Sequence, residues 1–180
     1  MRVLMFKRGW LIVFTIIAAI IIMIGVIANP KFVDTAAVKR EIPIYCVETD
    51  KKHISLSFDA AWGNEDTDQL IEILEKYNAR ATFFVVGDWV DRFPDSVLAL
   101  HNAGHEIMNH SNSHKHMTEL SSAEIMKDIE ECNRKIEEIT GEKPSLFRAP
   151  YGEYDDNVVK TVKDMGMYTI QWDVDTLDSK

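Results

Sequence analysis

The chain has 180 residues, enough for one domain of ordinary size and a short additional segment. Hydrophobic residues make up 46% of the sequence and charged residues 27%, which fits a folded protein and excludes a largely disordered one. The formal net charge of −9 argues against nucleic acid as the main partner, because proteins that bind nucleic acid usually present a basic face.

The first feature in chain order is an uncharged apolar run over residues 10–28. A helix of that length nearly spans a hydrocarbon core of about 30 Å, so the run predicts a transmembrane signal-anchor. Basic residues lie within positions 1–9, which predicts a cytoplasmic N-terminus and a single-pass membrane protein with its main domain outside. A cleaved signal peptide is the alternative, although the run is longer than a usual signal-peptide core.

Residues 29–50 are interpreted as a stem with a short strand around 42–47, and a domain follows over residues 51–180. In this domain, apolar alternation and buried runs predict strands, and apolar residues at helical spacing predict helices. The strands are predicted at 54–58, 81–86, 105–109, 146–148 and 167–172, and the helices over 70–77, 94–102, from 121 to about 140, and 158–165. Strands that alternate with helices indicate an α/β fold built from parallel units.

The longest predicted helix opens with Ser121 and Glu124, the spacing of a capping box. Cys132 falls on its apolar stripe, which favours a buried free thiol. A Cys46–Cys132 disulfide is the alternative if the domain lies outside the cell.

Polar residues with useful chemistry follow four of the predicted strands: Asp59, His110, Arg148 and Asp175. Strand ends in an α/β barrel share one rim, so these residues are expected to converge on one pocket. His110 and His114 are spaced to bind zinc or a similar divalent metal, but taken alone they also fit a solvated polar loop. Asp59 suits metal binding, proton abstraction or a simple helix cap.

The order and spacing of these segments resemble the polysaccharide deacetylase family, also called the NodB-homology or carbohydrate esterase family 4 domain. The resemblance covers residues 51–180. It is carried by SFDAA at 57–61, by His110-Ser111 with His114, by Arg148 with Tyr151-Gly152, and by Asp175 with Asp178. The segment FDAAWG is most similar to the corresponding segment of the PdaB-type branch, which is associated with sporulation.

This resemblance implies a distorted (β/α) barrel and a hydrolase that removes N-acetyl groups from peptidoglycan or a chitin-like glycan. It implies that His110 and His114 hold the divalent metal and that Asp59 is the general base. Arg148 would hold Asp59 in place, the Tyr151 backbone N–H would stabilise the oxyanion, and Asp178 would orient the general-acid histidine.

The sequence departs from the family pattern at three places. Ala60 stands where a second aspartate usually supplies the third metal ligand, so Asp59, Asn64 or Asp66 would have to replace it. Ser179 stands where a tryptophan is usual, and the fifth motif would lie beyond Lys180, which predicts a domain incomplete at its C-terminus. A catalytically inactive barrel that binds wall glycan or a sporulation partner is therefore the alternative function. A related hydrolase acting on acetylated xylan is a third interpretation.

Overall fold

The computed structural model describes residues 8–27 and 40–176 of the protein. The chain divides into two compact units, residues 1–39 and residues 40–180. The first unit contains the helix α1 (Arg8–Ile27). Over the described ranges, no helix has both the length and the apolar character that membrane crossing requires. The predicted transmembrane helix over residues 10–28 therefore finds no support in the structure.

The second unit alternates strands and helices, as the periodicity predicted. Its elements in chain order are β1 (Leu56–Ala60), α2 (Thr67–Lys76), β2 (Ala81–Val85), α3 (Gly87–Arg92), α4 (Pro94–Asn102), β3 (Glu106–Asn109), α5 (Ser122–Thr140), β4 (Leu146–Phe147), α6 (Asp156–Asp164) and β5 (Tyr168–Thr169). All five strands pair in parallel, in the order β1-β2-β3-β4-β5. The prediction of an α/β fold built from parallel strands is confirmed.

Some predicted elements differ from the observed ones in extent. The strand predicted at 167–172 is only two residues long as β5, and residues around 42–47 contribute a single bridge, Ile44 to Ile170, in place of a strand. The helix α3 was not predicted, because six residues are too few to show a helical period. Within the described residues the five strands form an open sheet, so closure into a barrel stays a prediction.

The core lies on the sheet in two apolar clusters. One packs β2 against α3, α4 and α5, and the other lies beneath α5 and α6. Cys132 belongs to the first cluster and is fully buried, and its burial raises the pKa of the thiol. Both cysteines are free, so the predicted buried thiol is confirmed.

The capping box that begins α5 is also confirmed. The Ser121 backbone N–H donates to Glu124 Oε2 at 2.9 Å, and the Glu124 backbone N–H donates to Ser121 Oγ at 3.4 Å. We expect Ser121→Ala to lower the free energy of unfolding by about 1 kcal/mol, because the Glu124 backbone N–H loses its acceptor. Urea denaturation would measure the change. An unaltered midpoint would contradict a stabilising role for this cap.

Candidate functional site

Three of the predicted site residues meet at the carboxyl edge of the sheet. Asp59 lies near the end of β1, His110 directly follows β3, and Arg148 directly follows β4. Because the strands are parallel, these ends share one edge of the sheet. Arg148 Nη1 donates to Asp59 Oδ1 at 2.7 Å, and His110 Nε2 lies 3.8 Å from Asp59 Oδ2. Segments almost 90 residues apart therefore form one polar cluster, as the sequence predicted.

The guanidinium of Arg148 is held on several sides. Its Nη2 donates to Ser57 Oγ at 2.8 Å, and its central carbon lies 4.0 Å from the ring centroid of Phe84. Only 3% of Arg148 is exposed. Ser57 and Asp59 are two residues apart on β1, so both side chains lie on the same face of the sheet and share this one arginine. The predicted role of Arg148 in holding Asp59 is consistent with this geometry.

His110 is buried and oriented by the segment that carries Arg148. Its Nδ1 lies 2.8 Å from the Arg148 carbonyl oxygen. When Nδ1 carries the proton, it donates a hydrogen bond to this carbonyl oxygen. The lone pair of Nε2 then faces Asp59. Burial lowers the pKa of His110, so the imidazole is favoured in its neutral form. A neutral, oriented imidazole is the form that binds a metal ion.

His114 lies beside His110, with ring centroids 5.1 Å apart. Burial lowers its pKa as well. Its Nδ1 is buried and has no hydrogen-bond partner among the described residues. An orphaned buried nitrogen is uncommon in native proteins, and an absent ligand is one explanation for it.

The loop that carries both histidines is fixed by the side chains of Asp128 and Asn109, which the sequence patterns did not single out. Asp128 on α5 accepts from the Asn112 backbone N–H at 2.7 Å and from Ser113 Oγ at 2.9 Å. Asn109, fully buried, accepts from the Ser111 backbone N–H at 2.7 Å. No sequence signal separates half-buried Asp128 from the exposed acids of α5, because its role depends on the packing of that helix against the loop.

Unusual backbone conformations concentrate at the site. Among the described residues, four that are not glycine have positive φ, and three of them are Ser111, His114 and Tyr151. A left-handed conformation is costly for a residue with a side chain, and such strain clusters at functional sites. The Tyr151 hydroxyl donates to the His114 carbonyl oxygen at 3.3 Å, which connects the two strained segments.

The residues present fit a divalent ion through two imidazoles, with Asp59 as the nearest carboxylate. Over the described ranges there is no group of three histidine, cysteine or acidic residues placed to hold a metal. Of the residues suggested to replace the ligand missing at Ala60, Asp59 lies beside His110, whereas Asn64 and Asp66 have other described roles. Asn64 instead donates to Ser96 Oγ at 2.9 Å, and Asp66 is the N-cap of α2. Asp178 lies outside the described residues, and Asp175 is exposed beyond β5.

The lowered histidine pKa values predict a pH dependence of stability. In the unfolded chain these histidines take up protons as the pH falls below about 6.5, whereas buried His110 stays neutral until a lower pH. The unfolded state then binds more protons, so the free energy of unfolding should fall as the pH drops from neutral through that range. His105 and His114 act in the same direction, whereas exposed His116, whose pKa is raised by its hydrogen bond to Glu153, acts in the opposite direction.

Urea denaturation at about pH 7.5 and about pH 5.5 would measure this dependence. The variant His110→Gln should show a smaller loss of stability between the two pH values, because one of the neutral buried imidazoles is gone. An equal or larger loss in the variant would show that His110 does not contribute.

Comparison with known proteins gives a consistent result. The family model described as polysaccharide deacetylase matches residues 47–170. The peptidoglycan-N-acetylmuramic acid deacetylase PdaC of Bacillus subtilis is 38% identical over 134 residues, which cover 74% of this chain and 28% of PdaC. The uncharacterized protein YlxY of Bacillus subtilis is 35% identical over 136 residues, covering 76% of this chain and 43% of YlxY.

Among solved structures, a pseudoenzyme of carbohydrate esterase family 4 from Bacillus anthracis has a TM-score of 0.74 and 40% identity. The match covers 77% of this chain and 50% of the pseudoenzyme. A mutant of that protein with restored enzymatic activity matches equally well, with 42% identity and a TM-score of 0.74. The chain spans about half or less of the length of these relatives.

Proposed function

Because the chain belongs to the polysaccharide deacetylase family, we propose that it is a metal-assisted hydrolase that removes N-acetyl groups from a cell-wall glycan. The observation that carries the proposal is the Asp59–Arg148 pair beside the imidazoles of His110 and His114, whose pKa values are lowered by burial. The similarity to PdaC supports peptidoglycan as the glycan class. The proposal includes an extracytoplasmic location, because a wall glycan lies outside the cytoplasm. It also includes a role in sporulation.

Asp59 is the proposed general base. Arg148 occupies its Oδ1 through a 2.7 Å hydrogen bond, which leaves Oδ2 to accept a proton. A water molecule attacks the acetamide carbonyl carbon and gives its proton to Oδ2. The carbon–nitrogen bond then breaks, the amine nitrogen takes a proton from the general-acid histidine that the family pattern places in the fifth motif, acetate leaves, and Asp59 releases its proton to solvent. Arg148 holds Asp59 in position through this hydrogen bond while Oδ2 accepts the proton.

The remaining residues would bind and orient. A divalent ion such as zinc, held by His110 and His114, would acidify the attacking water and polarise the acetamide carbonyl. The backbone N–H of Tyr151 is the proposed donor to the developing oxyanion. Tyr151 has a left-handed backbone conformation, so its peptide group is oriented differently from that of a residue in an extended strand. Asp178 is the proposed partner of the general-acid histidine.

An inactive glycan-binding protein is the second candidate, and one specific feature favours it. Ala60 removes the carboxylate that usually completes the metal site, which leaves two imidazoles where catalytic zinc commonly has three protein ligands. The similarity to a pseudoenzyme of the same family supports this candidate as well.

Acetate release tests the two candidates directly. The full chain would be incubated with oligomers of N-acetylglucosamine, peptidoglycan strands and acetylated xylan, each with zinc and with a chelator. Acetate released from the first two substrates with zinc and not with chelator would support the hydrolase. Release from xylan alone would indicate an ester substrate.

Metal binding needs a measurement of its own, because an inactive protein could still bind the ion. Zinc titration by calorimetry near neutral pH should show binding that is lost in His110→Ala. Binding without acetate release would favour the inactive candidate. A folded protein that neither binds zinc nor releases acetate would overturn the metal-assisted mechanism.

A further inference from the structure

Trp62 is a large aromatic residue that the proposed chemistry does not use. It follows Asp59 by three residues, and 74% of its surface is exposed. Its ring centroid lies 5.6 Å from that of His114, so it stands at the edge of the candidate site. Tryptophan carries one of the largest apolar surfaces of any side chain, and its flat ring is suited to contact with an apolar ligand face.

The backbone on both sides of Trp62 is fixed. Arg92 Nη2 donates to the Ala61 carbonyl oxygen at 2.9 Å, and Trp89 Nε1 donates to the Gly63 carbonyl oxygen at 2.7 Å. Trp89 is itself only 1% exposed, so the second of these anchors belongs to the core. An exposed side chain on a fixed backbone loses less conformational freedom on binding than one on a mobile loop.

The rings of Trp62 and Tyr151 differ in how much of each is covered. Tyr151 also contacts His114, at 4.7 Å, but one of its faces is stacked on His116 at 4.2 Å with an interplanar angle of 13°. For Trp62, the tilted contact with His114 is the one ring contact found among the described residues. The face of the indole is therefore open to a ligand that reaches the site.

The chemistry of a glycan matches this open face. A pyranose ring presents C–H groups on its faces and hydroxyl groups around its edge, so a flat aromatic ring can cover one apolar face while water or polar groups bind the edge. We propose that Trp62 is a sugar-binding residue, which stacks on a pyranose ring of the glycan whose acetamido group lies at Asp59, His110 and His114. The proposal rests on the proposed glycan specificity, and it holds for the hydrolase and for the inactive binder alike.

The position of Trp62 also predicts its effect on specificity. Its indole lies beside the reacting position and belongs to a different segment from the histidine loop, so it would contact a sugar ring and not the acetyl group itself. Loss of the ring should weaken binding of acetylated and deacetylated oligomers by similar factors. Loss of a residue that recognises the acetyl group would weaken only the acetylated one.

Calorimetric titration of the full chain with the tetramer of N-acetylglucosamine, and with the deacetylated tetramer, tests the proposal. Trp62→Ala should weaken binding of both by about tenfold or more, in line with the loss of a central aromatic contact. Trp62→Phe should recover most of the affinity, because a smaller aromatic face remains. Tyr77→Ala is the matched control, since Tyr77 is 71% exposed and precedes β2, near the amino ends of the strands.

The outcomes separate this inference from the proposed function. If the parent binds and Trp62→Ala binds equally well, the sugar-binding role of Trp62 is wrong while the glycan specificity stands. If Trp62→Ala weakens only the acetylated oligomer, Trp62 recognises the acetyl group and the stacking proposal is overturned. If the folded parent binds neither oligomer, the glycan specificity and the role of Trp62 fail together. An equal loss in Tyr77→Ala would also contradict a local effect.

Discussion

Asp59→Asn is expected to lower the rate of acetate release by about 100- to 10,000-fold, the usual contribution of a general base. The asparagine side chain keeps an oxygen that can accept from Arg148 Nη1, so the cluster at the sheet edge should stay assembled. It cannot take a proton from water at neutral pH, so the proposed chemistry loses its base. The initial rate of acetate formation from the N-acetylglucosamine tetramer, at saturating zinc, is the measurement.

The controls separate lost chemistry from lost structure. The free energy of unfolding of Asp59→Asn should fall by no more than about 3 kcal/mol, because the hydrogen bond to Arg148 is retained although the buried guanidinium loses its counter-charge. Glu72→Gln removes an exposed carboxylate on α2 and should leave the rate unchanged. If Asp59→Asn retained most of the parental rate, Asp59 would be excluded as the base.

Arg148→Met is expected to lower the free energy of unfolding by about 2–3 kcal/mol and to reduce acetate release as well. The methionine can still pack on Phe84, but Asp59 and Ser57 both lose their donor. Removing one partner of a fully buried ion pair usually costs about 3–5 kcal/mol. The smaller value is expected here because the Asp59 side chain is 36% exposed and water can solvate part of its charge.

Arg148→Lys provides the comparison. It keeps the positive charge, but an ammonium group cannot reproduce the planar fork that reaches Asp59 Oδ1 and Ser57 Oγ together. The free energy of unfolding of Arg148→Lys, measured by urea denaturation, should lie between those of the parent and Arg148→Met. If the free energy of unfolding of Arg148→Met were within about 0.5 kcal/mol of that of the parent, the cluster would contribute no more to stability than an ordinary surface contact.

Several parts of the site were predictable because they depend on local rules. A continuous apolar run located β2 and apolar residues at helical spacing located α2, and parallel pairing then brought the ends of β1, β3 and β4 to one edge. The convergence of Asp59, His110 and Arg148 follows from that topology. The capping box of α5 was predictable because it depends on two residues three apart.

Other features have no local signature. The strands β4 and β5 are short because the extent of a strand depends on where its neighbour offers hydrogen bonds, and an apolar run does not reveal that. Asp128 resembles any other acid on the exposed side of a helix until the helix is packed against the histidine loop. The orientation and exposure of Trp62 depend on anchors from Arg92 and Trp89, about 30 residues away in the chain.

The sequence by itself determined the α/β class, the parallel alternation and the identities of the candidate site residues, because each depends on spacing within a short segment. Only the tertiary structure decided which atoms meet: which oxygen of Asp59 Arg148 occupies, which nitrogen of His110 is left free, and that His114 stands beside Trp62. The physical reason is that these contacts join segments far apart in sequence. Their distances depend on how helices pack across the sheet, which no single segment encodes.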